Sequence, residues 1–133
     1  MNTFAKLGKW MFAAPMAVFG FLHFGPLEFS LPYVPAWLPA PALWVYVAGA
    51  GLLLFALSAV LGRKDRLAGY LLALELLLFV ALTHLPTLIG GDFAGLIATF
   101  RDLSMAGAAI MFAEAFARDR SLNLFGPKVP RND

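Results

Sequence analysis

The chain has 133 residues, 61% of them hydrophobic and only 14% charged, with a net charge of +2 and no cysteine. Soluble domains carry about 25% charge, so a soluble core is a poor fit. Without cysteine, disulfides, thiol redox chemistry, iron–sulfur ligation and cysteine zinc sites are all excluded in this chain. The mean hydropathy of +0.78 and the apolar runs point to an all-α fold, an integral membrane bundle of four transmembrane helices.

Residues 7–24 predict the first helix, with Lys6 and Lys9 ahead of an apolar run. Three further apolar runs follow without a convincing small-x-small cleavage site. This reads as an uncleaved signal anchor. Pro15 predicts a kink unless it lies in the first turns. Phe12, Met16, Phe19, Gly20 and His23 share one side at helical spacing. Between Gly25 and Ala42, five prolines forbid a regular helix. Phe29, Tyr33 and Trp37 are interleaved with them, and such aromatics favour the membrane–water interface. The segment is expected to form an outer cap, either a tight connector or a lid over a pocket.

Residues 43–61 predict the second helix, whose Ala48–Gly51 stretch allows close backbone approach. A basic turn, Gly62-Arg63-Lys64-Asp65-Arg66, leads to a third helix over residues 67–85 that Pro86 should end. His84 falls with Gly69 and Ala73 on one arc, and Glu75 roughly opposite. Glu75 is therefore expected to face another helix, a lipid-side partner or a second subunit. The fourth helix is expected over residues 94–117, with Asp102 pointing inward, Arg101 on its flank, and Glu114 pairing with Arg118. Residues 119–133 read as a polar cytoplasmic tail, poorly ordered around Pro127 and Pro130.

The basic residues Lys6, Lys9, Arg63, Lys64, Arg66, Arg118, Arg120, Lys128 and Arg131 all fall on one side of a four-span topology. The positive-inside rule then places both termini in the cytoplasm. It also accounts for a pI near 9.2 without a nucleic-acid partner. His23, Glu75, His84, Arg101 and Asp102 form a polar layer in the outer half, and charges at that depth need partners. Four readings compete for it: a buried network that fixes helix packing, a quinone or lipid-headgroup site, haem held by His23 and His84, and a transport path. A quinone needs an apolar slot with donors for its carbonyl oxygens, which His23, His84 and Arg101 could supply. An acid, Asp102 or Glu75, could exchange a proton. Two histidines are a weak signal for haem. No metal site is expected, since His and carboxylates lack close spacing. Transport would require an oligomer with Glu75 at its interface. No catalytic centre is evident.

The chain resembles the DoxX and DoxX-like family of small four-helix membrane proteins. The resemblance rests on Gly20-Phe21-Leu22-His23-Phe24, Val34-Pro35-Ala36-Trp37-Leu38-Pro39 and Trp44-Val45-Tyr46-Val47-Ala48-Gly49. Arg66-Leu67-Ala68 and Arg101-Asp102-Leu103-Ser104-Met105-Ala106-Gly107 complete it. Leu52 stands near the place where many relatives carry a glutamate. The resemblance implies four membrane helices and a respiratory or redox context. It implies an accessory or quinone-interacting subunit of a membrane redox system, at most part of an oxidoreductase complex, with electrons from a partner protein. The alternatives are a non-enzymatic scaffold or assembly protein and a small oligomeric transporter.

Overall fold

A computed structural model describes residues 3–131. Among them there is no strand, only an isolated antiparallel bridge between Asp119 and Pro130. Four long helical paths carry the fold: α1 (Thr3–Leu22), α2 (Pro41–Leu61), α3 (Asp65–Ile89) and α4 (Phe93–Ala115). The last three are each long and apolar enough to cross a membrane. The first qualifies only together with the turns that follow it, across a 113° bend, so three helical paths, or four if the bent pair counts as one, are long and apolar enough to span.

The helix ends follow from local chemistry. Pro41 starts α2, where its missing N–H costs nothing. Gly62 stops it in the left-handed region at φ 62°, with its N–H bonded to Ser58 O. Asp92 caps α4 by accepting from the Ala94 N–H at 2.8 Å. Between α1 and α2, two short 3-10 turns, Leu27–Phe29 and Leu31–Tyr33, replace a helix, as the prolines require. Trp44 Nε1 donates to Pro39 O and ties this segment to the start of α2.

The third helix departs from expectation, because Pro86 does not end it. The path widens into a π turn over Val80–His84 and continues through Leu85–Ile89. In a regular α-helix the Pro86 ring would clash with the carbonyl four residues back. The wider turn relieves that clash, and Thr83 Oγ1 and Thr87 Oγ1 donate to Phe79 O and Thr83 O. Side-chain hydroxyls are a common way to satisfy carbonyls where a membrane helix is broken.

α1 packs on α2, α2 on α3, and α3 on α4. Small residues set two of these contacts. A Cβ on Gly49 would lie 2.6 Å from His23 Cβ, and one on Gly69 only 3.0 Å from Ala113 Cβ. Between the helices sits an aromatic centre in which Phe55 and Phe112 meet edge to face at 5.1 Å, with Phe12 against both. Large apolar side chains such as Leu54, Leu57, Leu71, Leu74, Ile97 and Met111 face outward. A soluble monomer does not expose that much apolar surface; a lipid-embedded bundle does.

Two further expectations change at the basic end, where the α2–α3 turn lies. Glu114 pairs with Arg66 at 3.0 Å and with Arg120 at 3.4 Å, not with Arg118. The segment after α4 folds back instead of trailing free. Asp65 accepts from the Arg118 and Asp119 N–H groups, each at 2.8 Å. Asp119 accepts in turn from the Lys64, Ser121 and Val129 N–H groups. Lys64 Nζ reaches Ser121 Oγ, Asn123 O and Gly126 O.

Candidate functional site

Of the five polar candidates, the fold brings three into one group. α4 carries Asp102 on its buried face, one residue from the exposed flank that carries Arg101. Asp102 is 1% exposed. Its Oδ1 accepts from Arg101 Nε at 2.7 Å, and its Oδ2 lies 2.9 Å from His84 Nε2. Opposite an ionised carboxylate, Nε2 is the nitrogen that carries the hydrogen. His84 comes from the last position of the π turn, so the distortion next to Pro86 also sets where this imidazole sits. The three side chains are graded outward: Asp102 at 2%, His84 at 13% and Arg101 at 50% exposure. An inward Asp102 and a flanking Arg101 are as the helical period predicts.

The other two candidates stand apart. His23 stands one residue past the end of α1, and its Nδ1 donates to Phe19 O of that helix at 2.8 Å. That bond commits its Nδ1 to the α1 backbone and leaves Nε2. Its Cβ packs on Gly49. Glu75 lies across α2, where a Cβ on Gly51 would overlap its Oε2. Its Oε1 is buried with no hydrogen-bond partner. Glu75 therefore faces another helix of the same chain, the first of the three options its position left open. Arg101 pairs with Asp102, leaving Glu75 outside the network.

Two clefts lie elsewhere. One is lined by Leu31, Pro32, Val34, Pro35, Ala36, Leu38 and Pro41 of the proline-rich segment. The other is lined by Glu114, Arg120, Val129, Pro130 and Arg131. No polar-layer candidate lines either of these two clefts. Among the described residues, no group of three His, Asp or Glu is placed to hold a metal ion.

Sequence reasoning missed two side chains. Lys9, read as a flanking cation, is 2% exposed, and its Nζ has no hydrogen-bond partner. It lies 5.3 Å from the Trp10 ring and 5.5 Å from the Phe112 ring, within reach of cation–π attraction. The signal was available: Lys9, Ala13, Met16 and Gly20 are the buried residues of α1, spaced by four, three and four. The other is Thr99, buried one turn before Asp102 with an unpartnered hydroxyl. Nothing but its spacing from Asp102 marked it.

Comparison of the chain with family models, with curated proteins and with solved structures gives no match.

Proposed function

We propose that the chain is a DoxX-like protein of a bacterial inner membrane, with both termini cytoplasmic, that serves a membrane redox system as an accessory, quinone-interacting subunit. The orientation is supported by the basic residues gathered around the α2–α3 turn, where Lys64 bonds the segment beyond α4 and Arg66 and Arg120 share Glu114. Basic loops favour the cytoplasmic side.

One observation carries the functional reading. Arg101 commits Nε to Asp102 yet keeps half its side chain accessible from outside the bundle. It stands eight residues into α4, about 12 Å from the helix start at 1.5 Å per residue. A guanidinium reachable from the bilayer at that depth calls for an oxygen acceptor that is itself lipid-soluble. A quinone carbonyl fits that description. Bound there, a quinone would supply two-electron, two-proton redox chemistry, with the electrons coming from a partner protein. This chain's own residues would orient the headgroup through Arg101. The His84–Asp102 hydrogen bond lies beside it as a place where a proton can be held.

Photolabelling the full chain in lipid nanodiscs with an azidoquinone tests this. Label concentrated on α4 around Arg101, and lost in Arg101→Gln, is the expected result. Label spread over the lipid-facing surface in both proteins would reject the proposal. A second reading, a scaffold whose charged group only holds helices together, draws on the fact that both Asp102 oxygens already have partners. Under it, Arg101→Gln lowers stability and no concentrated label appears in either protein.

A further inference from the structure

The segment beyond α4 carries a feature that the polar layer does not explain. Its turn Asn123–Gly126 is held by the Lys64 ammonium and by a bond of its own. Lys64 Nζ donates to Asn123 O at 2.8 Å and Gly126 O at 2.6 Å. The Phe125 N–H donates to Asn123 Oδ1 at 3.0 Å. Yet the side chains at this pinned tip are apolar and outward: Phe125 is 94% exposed, Leu124 61% and Leu122 54%. A fixed turn that presents a phenylalanine and two leucines to water is an unfavourable arrangement unless something apolar receives them.

The position says what receives them. Lys64 sits between α2 and α3, at the ends of two helices long enough to span a membrane. A tip bonded to Lys64 is therefore held at the edge of the bilayer. Exposed Arg63, Arg118 and Lys128 belong to the same end. Apolar side chains beside basic ones are the composition of segments that lie in an anionic lipid interface. We propose that Leu122, Leu124 and Phe125 form a surface anchor that enters the headgroup–acyl boundary of an anionic leaflet at the basic end of the bundle. The anchor rests on the chain spanning a bilayer and is independent of the quinone reading.

The chain has no cysteine, so a nitroxide can be attached at one place without further change. The full chain carrying labelled Phe125→Cys is compared in nanodiscs of neutral lipid and of lipid rich in phosphatidylglycerol. Collision with oxygen, which enters lipid, is measured against collision with a water-soluble nickel chelate. The expected result is a several-fold higher oxygen-to-nickel ratio in the anionic discs, repeated at Leu124→Cys and reduced when Lys64→Gln frees the turn. Free access of the nickel chelate in both lipids would overturn the anchor. Shielding from both reagents would overturn it in favour of a protein surface, a second copy or a partner. Equal ratios in the two lipids would overturn the anionic assignment.

Discussion

The two ends of this bundle hold their buried carboxylates in opposite ways. At the basic end, Asp65 and Asp119 accept from five backbone N–H groups between them. Backbone donors cannot swing away without moving the chain, so this is a lock. In the polar layer, Asp102 is held by two side chains from two helices, one of them half exposed. Side chains change partners by rotation, so this carboxylate can exchange a partner while the helices stay in place. Backbone bonds hold the carboxylates where the chain turns, and side-chain bonds hold the one in the polar layer.

The largest expected effect comes from breaking the lock. Asp119→Ala strands the N–H groups of Lys64, Ser121 and Val129 and should cost about 3 kcal/mol, read as a fall in thermal midpoint in nanodiscs. A loss as small as that of a surface substitution would mean that the clasp is dispensable. Asp102→Asn should cost less, about 2 kcal/mol, because the amide still fills the space and accepts one bond. It should also weaken azidoquinone labelling near Arg101, which Asp119→Ala should leave intact in whatever protein remains folded. Equal labelling in the Asp102→Asn protein would separate that group from the ligand. Gly51→Ala comes next, at about 1 kcal/mol. Its Cβ meets only the end of the flexible Glu75 side chain, which can turn aside. A cost as large as that of Asp119→Ala would show Glu75 to be rigidly held.

The smallest effect is in pH. Burial pushes the Asp119 carboxyl up, but the Lys64, Val129 and Ser121 N–H groups and the Lys64 charge outweigh it and hold the group below the usual carboxylate range. A depressed folded value makes its contribution complete above the unfolded value of about 3.9 and lost as pH falls through the lower folded one. The midpoint should therefore stay level from neutral pH to about 5 and decline below about 4. Asp119→Asn should flatten that acid slope.

The helical period alone made much of this fold legible. The apolar runs place the four helical paths, and the small residues mark two of the contacts between them. Asp102 facing inward and Arg101 on the flank follow from the same period. What the period does not carry is partner choice. Pro86 reads as a stop, yet three hydrogen-bonding residues around it, Thr83, His84 and Thr87, make a π turn a better solution. Lys9 reads as a flank because charge outweighs position in such a scan, although it lies on the buried stripe of α1. The fold-back after α4 depends on one donor and one acceptor more than fifty residues away, the Lys64 N–H and the Asp65 carboxylate, and no local pattern announces them.

That separation orders the making of the protein in time. Lys64 precedes Asp119 by 55 residues, and Asp65 precedes Arg118 by 53. At about 5–20 residues per second, a nascent chain would hold the α2–α3 turn for about 3–10 s before its partners were synthesised. During that interval the Asp65 carboxylate and the Lys64 N–H have only water or the insertion machinery to bond. Phe112, whose ring meets Phe55, is made only six residues before Arg118, so the contact of α2 with α4 and the clasp become possible almost together, late in synthesis. A chain cut short after α4 would never close the clasp, leaving the Asp65 carboxylate and the Lys64 N–H without the partners that the last segment supplies.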